Sequence, residues 1–451
     1  MRYGLNAGQH ALGDDNLMSE ADFYNIFAWG AASYVIGFLT LSPLVDRKGG
    51  RWGMITGLMG TISVNLIMAL VVRKTIDETA HLPFVFCMTA LYCANMFFQS
   101  LGAMSIVAVN VPWFHVRERG KFATIFGVLI ALGNYFAFDW GYAIVDATRK
   151  YINLDKLSFT ASIFQGLLGT GGKAVNESWW LFLFPALFGL FWLIPIVITL
   201  RNSPKEASFN DFETGIEHMS ASQLTMFQML KEVFLNPKHR VVLVICLIEF
   251  CSGAIRNGSI QTYPKFAEHI GFKHDFALSE HWGLFLLIAG VIGANATGFI
   301  SDKCFNSRRG PMAVILYVLM VFGISMILFS LGSNAPHSGS INTGIGLFIL
   351  ATCVIGVHGI LSGTAAAEFS GTKNTAKAVG IIDGAVYLGT SAQSFLMGLF
   401  VPIFQPGALA HKITDPSSWM AWPIILLPFA VIGTILGTSI YSAYPKGKHT
   451  H

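Results

Sequence analysis

Eleven apolar runs follow one another along the chain, separated by short polar gaps: 21–45, 53–72, 83–113, 120–147, 178–200, 239–263, 282–304, 311–331, 343–368, 376–404 and 419–443. Each is about as long as a helix needs to be to cross a bilayer. Lipid cannot satisfy backbone N–H and C=O groups, so such runs are expected to be α-helical. Several exceed the minimum, which predicts tilt or kinks, and Pro112 near the end of the third run is one candidate kink. The one long polar stretch, 201–238, divides five crossings from six. Within it, Ser220 to Phe234 is expected to form a surface amphipathic helix with Leu224, Phe227, Leu230 and Phe234 on one side. The pattern predicts an all-α membrane protein: an N-terminal helical half at 1–200, a linker at 201–238, a C-terminal half at 239–443 and a short tail at 444–451.

The two halves echo each other. Asp46 follows the first run in VDRKGGR, and Asp302 stands 256 positions later in SDKCFNSRRG. Lys121 opens KFATIFGVLIALG and Lys377 opens KAVGIIDGAVYLG at the same offset of 256, which Gly133 and Gly389 also keep. Arg2-Tyr3-Gly4 resembles Arg256-Asn257-Gly258 at an offset of 254. A recurring offset of this size marks a duplicated helical unit. Duplication predicts two pseudo-symmetric six-helix halves, yet the first half shows five full runs. Arg2 is therefore expected at mid-helix like Arg256, with about half a helix preceding it. The competing reading makes Arg2 an ordinary flanking charge.

Arg256 is the residue the pattern least tolerates. It falls about fifteen residues into VVLVICLIEFCSGAIRNGSIQTYP, Val241 to Pro264, near the hydrocarbon centre. An arginine there costs about 2.5–3.5 kcal/mol on insertion scales and cannot deprotonate to escape. It needs a cavity, an anionic ligand or a partner. Glu249, seven residues earlier on the same helical face, is the internal partner the sequence offers. The two readings are a cavity arginine that binds an anion and a structural arginine paired to Glu249.

Composition sharpens the class. Of 451 residues 53% are hydrophobic and 12% charged, about half the charged share of soluble domains, which excludes soluble-enzyme readings. Glycine, at 46 residues, suits close helix packing in membranes. The six cysteines show no disulfide or metal-site spacing, and no cofactor or metal is expected. No G-x-x-x-x-G-K-[ST] loop occurs, so ATP is not the expected energy source. With the central linker placed in the cytoplasm, 18 lysines and arginines fall on that side and 9 on the other. The positive-inside rule then predicts a cytoplasmic linker and C-terminus.

VDRKGGRWGM joins two helices by a tight basic turn, with Asp46, Arg47 and Arg51 in the loop and Asp302 in its repeat. This resembles the signature loop of the major facilitator superfamily. The stretch Phe98 to Asn134 is similar to the fourth and fifth helices of the organophosphate:phosphate antiporters, through Phe98-Gln99, Gly102, Trp113 and Glu118-Arg119-Gly120. AIRNGSIQTYPKF, SDKCFNSRRG and GAVYLGTS match in the same register. The resemblance implies a rocker-switch carrier exchanging sugar or glycerol phosphates for inorganic phosphate. Two arginines, carried over to Arg2 and Arg256, would grip the phosphate from both halves. Planar guanidinium forks suit that task. Tyr387 falls on a tyrosine of the family's binding cavity. The implied setting is a monomer in a bacterial inner membrane, with no nucleic-acid partner.

There are departures from the family pattern. A family histidine falls on Ile130, a lysine on Phe38 and a further arginine on Ala108, so the organic part of the substrate is expected to differ. Glu249 and Asp383 are candidates for charge balance or proton coupling. Asp383 lies one helical turn before Tyr387. Two alternatives stay open: a proton-coupled carrier of another small organic anion, and a non-transporting sugar-phosphate sensor.

Overall fold

The computed structural model describes residues 1–15, 17–76, 83–114, 119–148, 158–170, 177–210, 225–237, 240–270, 281–306, 308–332, 336–370, 375–400 and 415–442. Its long helices follow the apolar runs. The N-terminal half holds α1 (Gly4–Asp14), α2 (Glu20–Lys48), α3 (Gly50–Ile76) and α4 (Phe84–Asn110). It continues through α5 (Arg119–Tyr135), a π-helical turn at Phe136–Trp140 and α6 (Gly141–Thr148), then α7 (Phe159–Leu168) and α8 (Trp180–Thr199). After α9 (Met226–Leu235) come α10 (Arg240–Ile270), α11 (Trp282–Phe305), α12 (Arg309–Gly332), α13 (Pro336–Ser370), α14 (Thr375–Phe400) and α15 (Ala421–Ser439). Among the described residues, ten spans are long and apolar enough to cross a membrane. The tenth run, 376–404, forms α14 and falls short of that measure because of the polar groups it carries into the bundle, Asp383 and Gln393 among them.

Local chemistry explains several boundaries. Ser19 starts α2 with a capping box: its hydroxyl accepts from Asp22 N (3.2 Å) and its own N–H donates to the Asp22 carboxylate (2.9 Å). Gly49 has φ +87°, which lets the chain turn from α2 straight into α3. Pro112 does act as a breaker: α4 ends at Asn110 and a 3₁₀ turn follows at Val111–Trp113.

One helix is added to the expected set and one expectation is corrected. The segment between α6 and α8 carries a further short helix, α7, whose Phe164 packs against Trp140 and Phe184. Its ten residues are too few to register as a crossing. In the linker, α9 begins at Met226 and buries Met229 and Val233, while Phe227 and Phe234 are exposed. The buried stripe is thus rotated from the one expected, and Leu224 lies outside the described residues. Thr225 sets that start through a capping box with Gln228.

The halves meet along two antiparallel helix pairs. α2 runs against α14 from Asp46 beside Lys377 at one end to Ser391, whose hydroxyl donates to Ala28 O (2.8 Å), nearer the other. α5 and the π-helical turn after it run against α11, with Ala131 beside Gly290 and Asp139 accepting from Gly283 N (2.7 Å). The bundle is closed by inter-half contacts toward both faces.

Candidate functional site

Two glycines bring α10 and α14 together. A methyl group on Gly253 would meet the Val386 carbonyl, and one on Gly389 would meet the Phe250 carbonyl. The two backbones therefore cross in direct contact, as small residues allow between membrane helices. Arg256 lies one turn beyond Gly253, and Tyr387 two residues before Gly389. The crossing is locked by Asn257, whose amide donates to Gln393 Oε1 (2.6 Å) and Ser394 Oγ (2.9 Å).

Arg2 arrives from the other half, immediately before α1. Its guanidinium donates to the Tyr387 hydroxyl and to Tyr3 OH (3.3 Å), and its backbone carbonyl accepts from Tyr92 OH (3.3 Å). The guanidinium carbon lies 4.8 Å from the Tyr3 ring centre and 5.5 Å from that of Tyr387. Arg256 approaches the same Tyr387 ring at 5.7 Å. One tyrosine thus sits between two arginines from opposite halves. Among the described residues, neither arginine has a carboxylate within 4 Å. Neutral hydroxyls and ring faces hold Arg2 instead, and the face of Tyr387 meets Arg256.

Arg2, Tyr3, Phe27, Ala31, Met96, Arg256, Asn257, Ile260, Tyr387 and Thr390 enclose a cavity of about 20 Å³, room for roughly one water. It is filled from one side by aromatic rings. Tyr34 stacks on Tyr387 with ring centres 3.9 Å apart, and Phe38 abuts Tyr34 at 4.7 Å. Phe38, which stands where the resembling family has a lysine, contributes an apolar wall.

The pairing of Arg256 with Glu249 is overturned. Glu249 is fully buried, and its Oε2 lies 3.2 Å from His358 Nδ1 on α13. The seven-residue separation puts both groups on one helical face, but α13 supplies a nearer partner. Asp383 lies on α14 one turn from Tyr387 and within electrostatic range of His358.

The basic-loop residues divide by role. Asp46 Oδ2 pairs with Lys377 Nζ at 2.6 Å, and Asp46 Oδ1 accepts from Ala376 N (3.0 Å) at the start of α14. Arg51 donates to the Val197 carbonyl near the end of α8 (2.8 Å), and its N–H to Asn202 Oδ1 (2.8 Å). Arg47 is exposed. The side chain of Asp302 lies outside those described, as does that of Lys121.

Sequence reading missed Tyr3, Tyr34, Tyr92 and Asp139. A signal for Tyr34 existed: Phe27, Ala31, Tyr34 and Phe38 follow helical spacing and form one face of α2 toward Tyr387. No comparable pattern pointed to Asp139, which the π-helical turn presents to α11.

Comparison with known proteins agrees with this architecture. The chain is 24% identical to a glycerol-3-phosphate transporter of Bacillus subtilis over 94% of its own length and 83% of the relative's. It is 24% identical to the membrane sensor protein UhpC of Salmonella typhimurium, over 89% and 80% of the two chains. A probable hexose phosphate transport protein of Chlamydia pneumoniae is 28% identical over 40% of this chain and 35% of its own. In fold it resembles a bacterial homologue of the human lysosomal transporter Spinster, captured inward-facing (TM-score 0.63, 13% identity, 98% and 94% coverage). It also resembles the xylose transporter XylE from E. coli (TM-score 0.58, 14% identity, 100% and 96% coverage). The family model of the Major Facilitator Superfamily matches residues 2–394, and this multi-pass membrane chain belongs to that superfamily of transporters.

Proposed function

We propose that the protein carries small phosphorylated anions across a bacterial inner membrane, exchanging them for inorganic phosphate at a site between Arg2 and Arg256. The observation that carries this reading is the convergence of two guanidinium groups, one from each half, on Tyr387, with no carboxylate within 4 Å of either among the described residues. Two such cations held in a low-dielectric bundle repel each other, and among the described residues no counter-charge touches them. A phosphate between them relieves both costs and fills two donor forks at once. The relatives' names, glycerol-3-phosphate and hexose phosphate transporters, support the same substrate class.

The mechanism follows from the closed geometry. A cavity of about 20 Å³ is too small for a phosphorylated sugar, so substrate enters as the halves part and Tyr387 moves off Arg2. Opening at the Asp46 face requires breaking the Asp46–Lys377 contact. Opening at the opposite face requires releasing Asp139 from the start of α11. An anion that draws Arg2 and Arg256 together restores the closed form, and the halves then reopen on the other side. Without an anion the arginines oppose closure, which favours exchange over leak. By charge placement, the basic loops, linker and C-terminus face the cytoplasm.

Counterflow in vesicles loaded with inorganic phosphate, screened against labelled glycerol phosphates and hexose phosphates, tests this reading. Accumulation of at least one organophosphate supports it. Counterflow of none, with phosphate itself also excluded, would reject it. The similarity to UhpC supplies the second reading: a sensor would bind the same anions, seen as a raised melting temperature, without moving them.

A further inference from the structure

The site leaves one buried ionisable pair unused. Glu249 on α10 and His358 on α13 meet at 3.2 Å inside the membrane-spanning bundle, two helical turns from Arg256. Glu249 is 0% exposed, and its second oxygen, Oε1, is buried without a hydrogen-bond partner among the described residues. His358 is the partly open member, with 17% of its side chain exposed. The surrounding helices supply few other charges. α14 contributes Asp383, and α12 contributes Tyr317, whose hydroxyl donates to Ile248 O (2.6 Å). α10 itself carries Cys246, Cys251 and Arg256, and α13 also carries Cys353; α5 and α11, which pack on α13 as well, hold their titratable residues in their terminal turns. α15 has no titratable residue, and α9 carries Lys231 and Glu232 beside the start of α10.

Of the side chains that bridge membrane helices, Asn, Gln, Ser and Thr hold one charge state at all pH values, whereas His, here an imidazole against a half-satisfied carboxylate, can change its own. We infer that Glu249 and His358 form a proton-binding site whose occupancy is linked to the anion held at Arg256. This rests on the anion-carrier reading above and adds the coupling ion to it.

The pair has three charge states. With neither group protonated it carries −1; one proton between Glu249 and His358 makes it neutral; a second makes it +1. The proton arrives from the water on whichever side the bundle is open, through His358, and leaves to water on the other side. An anion at Arg2 and Arg256 adds negative charge nearby and favours the more protonated state. By linkage, protonation favours the anion equally. Proton and anion therefore travel in the same direction; once both are released, the −1 pair offsets part of the charge at Arg256 and lets the empty carrier return, so acid on one side drives net anion uptake from that side beside the exchange.

The test uses the full chain in vesicles without internal phosphate, with labelled inorganic phosphate outside. External pH is held fixed, so the anion's own ionisation does not change, and internal pH is raised. Initial uptake is expected to rise about tenfold over equal pH, in the range of typical coupling. In Glu249→Gln and His358→Gln the rise is expected to disappear. Wild-type uptake indifferent to internal pH, with phosphate counterflow intact, overturns the proton site, as does a full gradient response in either variant. Should Glu249→Gln melt early, His358→Gln decides alone, since it removes the titrating ring and keeps a polar contact. Wild-type vesicles that show no counterflow for any anion would instead reject the carrier reading, and the linkage with it.

Discussion

Asp46 Oδ2 and Lys377 Nζ stand 2.6 Å apart, with 3% and 4% of their side chains exposed. Both are landmarks of the internal duplication, and here the landmark of one half grips that of the other. The same carboxylate caps the first turn of α14 through Ala376 N, where a negative charge also meets the positive end of the helix. Removing one member of a buried pair typically costs about 3–5 kcal/mol. Asp46→Asn keeps the cap acceptor and loses the charge. It is expected to shift the bundle toward opening at the Asp46 face, read as faster alkylation of a cysteine placed at Ala31. The double exchange Asp46→Lys with Lys377→Asp restores the charge pair but not the cap, so labelling should return only part of the way.

Asp139 is the counterpart toward the opposite face. Its Oδ1 accepts from Gly283 N at 2.7 Å, and a methyl on Gly283 would lie 2.8 Å from the Tyr135 carbonyl. Asp139→Ala is expected to speed labelling at Ala31 by membrane-impermeant reagents added from that face and leave the Asp46 face unaffected. Equal acceleration from both faces would show a general loosening of the bundle.

The contact of α10 with α14 is set by glycine. Gly389→Ala would force a methyl onto the Phe250 carbonyl, and overpacking of this kind costs about 1–3 kcal/mol. The expected outcome is a lower melting temperature together with a weaker phosphate-induced rise in it, because Tyr387 and Arg256 ride on the two backbones that separate. Gly133, its duplicate at the same offset, meets nothing within 4 Å. Gly133→Ala should therefore leave the melt within about 0.5 kcal/mol of wild type.

Most of the helix pattern was legible because lipid imposes one rule on every crossing: apolar outside, hydrogen-bonded within. The convergence of Arg2, Arg256 and Tyr387 was visible through the duplication and the family resemblance. The partner of Glu249 was not. Periodicity places Glu249 on the face of Arg256 but carries no information on which side chain of α13 reaches it. The same limit hid Asp139, whose aim depends on the π-helical turn at Phe136–Trp140. The short helix α7 escaped because ten residues fall well below the length of a crossing, while the linker helix was expected but over a longer range and with another face turned inward. In α9 the bundle, not the stripe, chose Met229 and Val233 to bury.

The account turns on whether the two arginines hold an anion, and the direct measurement is counterflow of labelled inorganic phosphate in vesicles containing wild type or Arg256→Lys. Lysine keeps the positive charge and loses the planar fork, a loss of about 1.5–3 kcal/mol in charged hydrogen bonding. The predicted result is a fall in initial counterflow of about tenfold or more, with the melting temperature held. Undiminished counterflow in Arg256→Lys would contradict the account.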